Sequence, residues 1–224
     1  MWLIPTRKRP ELMRGLIAAM QATGEVPACA VMQDGCEYEI EWPEHWKIHR
    51  SYAHLEMAGA INALFRLYPD EPFYGMLDDH TLPLMPMWAT NMQAAAGSWK
   101  IASGWNQTNR YRDGRMRINN YCLGGNLARA LGWVWPDFVI HMYGDDVLED
   151  IGYGLEIIEF VREAEFQPLL LRDGTLERDE NSNRVFQGKP YIEHDRLAYT
   201  AWKRHDFKPL LEKLQKLTAS AKIA

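Results

Sequence analysis

The sequence predicts an α/β domain with a mainly parallel central sheet flanked by helices. Three observations lead there. The chain opens as strand, helix, strand. Clusters of acidic side chains fall where strands are predicted to end. The length, 224 residues of which 47% are hydrophobic, suits one domain with a sizeable core.

Taken in order, Met1-Trp2-Leu3-Ile4 is a short apolar run that stops at Pro5 and reads as a buried strand. Pro10 suits the first turn of a helix, where its missing N–H costs nothing. Leu12, Leu16 and Met20, with Met13 and Ile17 beside them, form one apolar helix face that ends near Gly24. Ala28 to Met32 is the next strand, with Gln33-Asp34-Gly35 as the turn after it, so the Asp34 side chain is expected outside the core. Tyr52 to Leu67 reads as a second helix, broken by Tyr68-Pro69-Asp70-Glu71-Pro72. Phe73 to Leu77 is a strand running into Asp78-Asp79-His80. In parallel sheets ligands bind beyond the carboxyl ends of the strands. Asp34 and the Asp78–His80 cluster are therefore expected to face one cleft.

The second half is less regular. Ile101–Ser103 and Met116–Ile118 suggest short strands around a polar loop, 104–114. Gly124-Gly125-Asn126 is a turn into a short helix, 127–131. Asp145 to Phe160 reads as a helix with carboxylates at its N-terminus, where they are favoured. A polar stretch, 172–189, reads as a loop, and Leu210–Leu217 as an amphipathic helix opened by Pro209.

Composition narrows the function. The formal charge of −5 means that the chain as a whole is not built to hold a polyanion, so nucleic-acid binding would need a local basic patch. Arg110, Arg112, Arg115 and Arg117 with Tyr111 are the one stretch that fits; it reads equally as a solvated loop. Cys29, Cys36 and Cys122 have neither zinc nor redox spacing, which suggests a reducing compartment. The apolar N-terminus is too short for a signal peptide, and no run approaches the roughly 18 apolar residues of a membrane span. A cytoplasmic protein is expected. Nine tryptophans and ten tyrosines serve either as packing or as platforms for the flat faces of sugars and bases.

Three segments carry chemistry. Asp78, Asp79 and His80 are costly to bury unless something pairs them, and a divalent cation would do so. Carboxylates suit Mg2+ or Mn2+, and the imidazole tilts the choice towards Mn2+. Such a cation would neutralise a diphosphate leaving group. The same triplet is also compatible with a solvated, capping turn. Pro5-Thr6-Arg7-Lys8-Arg9-Pro10 places three cations at a helix N-terminus, where phosphate can sit; no Walker or dinucleotide glycine pattern follows. In Gly144-Asp145-Asp146-Val147-Leu148-Glu149-Asp150, the carboxylates of Asp146 and Asp150 share one helix face, and either is a candidate general base. Asp146 also reads as a plain N-terminal helix carboxylate. His194 and His205 are not singled out by spacing.

In order and spacing these segments resemble the GT-A glycosyltransferases, particularly their large family two, from Met1 to about Leu155. Ile4-Pro5-Thr6-Arg7 resembles the nucleotide-binding turn after the first strand, and Asp34-Gly35 the Asp-Gly turn whose Asp contacts the base. Ala60-Ile61-Asn62 resembles the Asn-bearing helix before the metal motif. Asp78-Asp79-His80 looks like a DxD motif in D-x-H form, similar to that of polypeptide N-acetylgalactosaminyltransferases. Gly124-Gly125-Asn126 resembles the acceptor-side turn, and Glu149-Asp150-Ile151 the Glu-Asp pair that supplies the base in inverting members. The Asp145-Asp146 pair offers a competing register, and the Gln-x-x-Arg-Trp signature of processive synthases is absent.

The resemblance implies a Rossmann-like GT-A fold, with residues about 1–95 binding the nucleotide sugar and about 96–224 the acceptor. Pro5, Thr6, Arg7, Arg9, Asp34, Asn62 and Asp78 would contact the donor, a nucleoside-diphosphate sugar. Asp78, Asp79 and His80 would hold Mn2+ or Mg2+, and Asp150 or Asp146 would act as base in an inverting transfer. Nucleotidyl transfer is a second expectation, although that chemistry wants a glycine-rich basic loop that Pro5–Pro10 lacks. A non-catalytic domain that binds carbohydrate or a partner protein is the third.

Overall fold

The computed structural model describes residues 1–35, 37–106, 111–112, 114–118, 120–169, 174–176, 179 and 189–221. Cys36, Arg110 and most of the polar stretch 172–189 lie outside the described residues, as do the side chains of Tyr111 and Arg112.

Strand β1 (Trp2–Thr6) leads through helix α1 (Pro10–Ala22) to β2 (Cys29–Asp34) and β3 (Lys47–Ser51); α2 (Glu56–Leu67) then leads to β4 (Phe73–Met76). These four strands lie in the order β3-β2-β1-β4, all parallel. β5 (Thr81–Pro83) and α3 (Trp88–Ala96) precede β6 (Ile101–Trp105), and β7 (Tyr111–Arg112) and β8 (Arg115–Met116) form a separate hairpin. β9 (Tyr121–Gly124), α4 (Gly125–Leu131), α5 (Gly144–Leu155), β10 (Ile158–Pro168), α6 (Lys189–His205) and α7 (Phe207–Ala221) complete the chain. The sheet continues β4-β9-β6-β10-β5. β9 runs antiparallel to both neighbours, and β6 and β10 run parallel to each other.

Side chains alternate across the sheet as strand geometry requires. Trp2, Ile4, Cys29 and Val31 pack under α1 and α3 with Met13, Leu16, Trp88 and Met92. Leu3, Ala30 and Met32 pack on the other face with Ile61, Leu64, Val147, Ile151 and Leu214 from α2, α5 and α7. The tryptophans are partly explained here. Trp2 and Trp88 are fully buried with ring centroids 4.7 Å apart. Trp2 also fixes its neighbour on β4, since a Cβ on Gly75 would lie 2.1 Å from the indole ring.

Several boundaries differ from expectation. β2 extends through Asp34, and Gly35, at φ 70°, makes the turn. α2 starts at Glu56, because Lys47–Ser51 forms the sheet-edge strand and Tyr52 is 83% exposed. The helix expected to run to Phe160 stops at Leu155. Glu156 takes a left-handed φ of 56°, and Ile158 onward is the long strand β10. No described helix is long and apolar enough to cross a membrane.

Candidate active site

The carboxyl ends of β1, β2 and β4 lie side by side, with Thr6 registered on Gln33 and Leu3 on Met76. The segment after β4 therefore emerges next to the basic turn after β1. Thr6 Oγ1 donates to Asp79 Oδ2 (2.8 Å) and Arg9 Nη1 to Asp79 Oδ1 (3.3 Å). Asp79 is 4% exposed, while Asp78 and His80 on either side of it are partly exposed. His80 Nδ1 lies 3.4 Å from Asp79 Oδ1, and its Nε2 lies 4.0 Å from Asp78 Oδ2.

This arrangement fits a divalent cation. Two ligands about 2.1 Å from one cation stand about 3 Å apart at right angles and about 4.2 Å apart when opposed. A carboxylate on the far nitrogen of a ligating histidine fixes its tautomer, and Asp79 holds that position here. Asp79 thus sits behind His80 rather than beside Asp78. Burial alone would lower the His80 pKa, but the hydrogen bond to Asp79 and the charge of Asp78 raise it. Among the described residues no group of three or more His, Cys, Asp or Glu side chains is placed to hold a metal ion. A cation held by only two side chains is the usual design where substrate phosphates supply further ligands.

His141 joins this corner and was not anticipated. Burial lowers its pKa, against the charges of Asp78 and Asp195, and His80 and Arg9 add to the lowering. Its imidazole thus feels the charges of the Asp78–His80 pair. A lone histidine in a stretch without spacing gave no signal for this.

Pro5 lies within β1, and the cations after it are anchored. Arg9 donates through Nε (2.6 Å) and Nη2 (3.0 Å) to Asp179, as well as to Asp79. Burial would lower its pKa, but these two carboxylates outweigh it and hold the guanidinium charged. Arg7 Nη1 reaches Asp34 Oδ2 at 3.4 Å. Asp34, expected outside the core, is 4% exposed: its Oδ1 accepts Leu55 N–H (3.2 Å), and its Oδ2 lies 3.1 Å from His54 Nδ1. Asp34 therefore also ties the start of α2 to β2. Asn62 is spent on backbone. Its Oδ1 accepts Val134 N–H (3.0 Å) and Trp135 N–H (3.2 Å), and its Nδ2 donates to Trp135 O (2.7 Å). It can act on the site only through the 132–143 connection that it holds.

The second acidic corner is the first turn of α5. The Arg117 guanidinium forks onto it: Nη1 to Asp146 (3.0 Å), Nη2 to Asp145 (3.1 Å) and Nε to Glu149 (3.0 Å). Tyr121 links the two corners. Burial raises its pKa, and the charges of Asp78 and Asp145 both raise it further. Asp150 stands one turn deeper, where it accepts Tyr199 Oη–H (2.7 Å) and pairs with Lys203. It thus faces α6.

The Gly124-Gly125 turn, expected near the acceptor, is at the opposite end of the strands from Asp78. β9 is antiparallel to β4, so Gly124 registers on Phe73, at the start of the strand whose far end carries Asp78. These glycines answer to packing. A Cβ on Gly124 would lie 2.2 Å from the Ser98 backbone, and one on Gly125 would lie 2.3 Å from Glu71 O.

No protein-family model and no curated protein matches the sequence. Solved structures do. GalNAc-T7, in a structure with UDP, GalNAc and Mn2+, superposes with a TM-score of 0.59 at 8% identity over 75% of this chain and 43% of that one. S. aureus TarS superposes with 0.53 at 9% identity over 74% and 35%, and its 1–349 piece in complex with UDP with 0.54 at 10% identity over 74% and 58%. The fold is GT-A. At these identities the likeness is one of architecture, and the chain spans 35% to 58% of the lengths of these structures. Within the GT-A frame, the two acidic corners are the ends of β4 and the start of α5.

Proposed function

We propose that the chain is a metal-dependent glycosyltransferase that moves a sugar from a nucleoside-diphosphate donor to an acceptor hydroxyl with inversion. The observation that carries this reading is the Asp78–His80 pair. It is partly exposed, is braced by Asp79, and is flanked by the basic turn after β1. Structures of the same fold with UDP, or with UDP, GalNAc and Mn2+, support the choice of donor and ion. Asp78 and His80 would hold Mn2+ or Mg2+, which when bound neutralises charge on the departing diphosphate.

The chain's own residues supply the rest. Arg7 and Arg9 offer guanidinium donors to phosphate oxygens. Pro5 and Thr6 form the floor beside them, and Asp34 offers a carboxylate to the base. The donor part would be residues about 1–95 and the acceptor part about 96–224. For the base we favour Asp146 over Asp150, because Asp146 stands in the first turn of α5 beside Asp145 and Arg117, whereas Asp150 faces α6 through Tyr199 and Lys203. Asp146 would take the proton of the acceptor hydroxyl as that oxygen bonds to the sugar carbon and the diphosphate oxygen leaves with its electron pair.

The test is calorimetric titration with UDP and other nucleoside diphosphates, with Mn2+ and with chelator. Binding should be at least about tenfold tighter with the metal. Equal affinity in both would remove the metal from the site.

A further inference from the structure

We propose that Asp195, on α6, is a positioning residue that sets the two acidic corners in register; the inference rests on the transferase reading above. Asp195 is fully buried, far along the sequence from both corners. Its carboxylate accepts three consecutive backbone N–H groups: Ile140 (2.8 Å, Oδ1), His141 (2.8 Å, Oδ2) and Met142 (2.7 Å, Oδ2). His194 Nδ1 lies 2.8 Å from Oδ1 as well. A buried carboxylate is stable only when its lone pairs are filled, and here backbone donors fill them.

The clamped segment is short and lies between two functional places. It contains His141, whose imidazole feels the charges of Asp78 and His80. It runs directly into Tyr143, whose left-handed φ of 65° starts α5 and so places Asp145 and Asp146. Ile140 O also accepts Ala58 N–H (3.2 Å), which ties the same segment to α2. Three N–H groups converging on one carboxylate fix the backbone dihedrals of 140–142. Those dihedrals determine where the His141 ring stands relative to Asp78, and where α5 begins. Asp195 touches neither donor nor acceptor and acts through this segment.

The experiment uses Asp195→Asn, which keeps the side chain's size but removes its charge and one acceptor. Calorimetry with UDP is run well below the unfolding temperature, with Mn2+ and with chelator. The expected result is a cooperatively folded variant that binds UDP as the parent does in chelator but loses about tenfold of the tightening that Mn2+ gives the parent. A purely architectural clamp would lower the unfolding temperature and leave that tightening unchanged in the folded protein, and this result overturns the proposal. Should Asp195→Asn not fold, His141→Ala decides. It must lose the Mn2+-dependent tightening with chelator binding intact, and retention of the full tightening overturns the proposal. A parent that gains nothing from Mn2+ fails the transferase reading itself, and the Asp195 inference falls with it.

Discussion

The two acidic corners of the cleft are built by opposite means. Asp34 and the Asp78–His80 triplet follow the two parallel strands that flank β1, so the backbone ladder that registers Thr6 on Gln33 and Leu3 on Met76 brings them to the same end of the sheet. Asp145 and Asp146 sit on the first turn of a helix whose position depends on side chains from elsewhere: Arg117 on the acids, Asn62 on Val134 and Trp135, and Asp195 on 140–142. A ladder is local and repetitive and leaves a pattern in sequence. A set of single long-range hydrogen bonds leaves none. Distant substitutions should therefore disturb the second corner and the His141 segment more than the strand-borne carboxylates of the first.

The largest effect that can break this comparison is at the second corner. Asp146→Asn is expected to lower sugar transfer by about 10²–10⁴-fold with UDP binding and fold retained, because the amide keeps the shape but takes no proton. Asp150→Asn should stay within several-fold of the parent and cost about 0.5–1.5 kcal/mol of stability through its weakened contacts with Tyr199 and Lys203. Transfer rates and urea unfolding of both variants decide it. The reverse pattern would return the base to Asp150, and two fully active variants would end the general-base mechanism.

A smaller effect sharpens the first corner. Arg9 spends Nε and Nη2 on Asp179, and the same donors suit a phosphate. Asp179→Ala is expected to tighten UDP binding roughly fivefold by freeing them from a competing carboxylate. Weaker binding in the variant would instead make Asp179 a strut that holds Arg9 in its working position.

The same contrast explains what was legible in the sequence. The opening strand–helix–strand, the apolar face of Met13, Leu16, Ile17 and Met20, and the cluster after β4 follow from short-range periodicity, and all lie where that pattern puts them. β3 was not legible, because Lys47–Ser51 is a polar edge strand with no buried face to impose alternation. β10 was hidden because Glu156-Ile157-Ile158-Glu159-Phe160 also satisfies a helical period; only the left-handed Glu156 separates helix from strand. Among site residues, the identity of the triplet was visible but not its alternation, with Asp79 turned inward to Thr6 and Arg9. The acidic run at 145–150 was visible, but which carboxylate faces Arg117 and which faces α6 depends on helix phase and on partners 28 to 53 residues away. His141 and Asp195 carried no signal, since their role depends on a contact made across 54 residues.

The smallest expected effect tests the charge balance of the second corner. Glu149 accepts Ile118 N–H (2.8 Å) and lies 3.0 Å from Arg117 Nε, contacts that should favour its charged form. Burial outweighs them, and because Asp145 and Asp146 share the same guanidinium, the Glu149 pKa is pushed up to about 7 from 4.5. Between those values the folded state holds a proton that the unfolded chain has lost. Stability from this group is therefore present below pH 4.5 and declines as pH rises to about 7. Glu149→Gln removes the titration and keeps an oxygen for Ile118 N–H. Its stability relative to the parent is expected to rise by about 1–3 kcal/mol between pH 5 and pH 8, a shift of a few degrees in Tm. Thermal unfolding of both proteins across that range measures it. If the relative stability of the variant falls with pH instead, the Arg117–Glu149 ion pair prevails over burial. The guanidinium would then be shared by three charged carboxylates, and removing Arg117 should cost more at pH 8 than at pH 5.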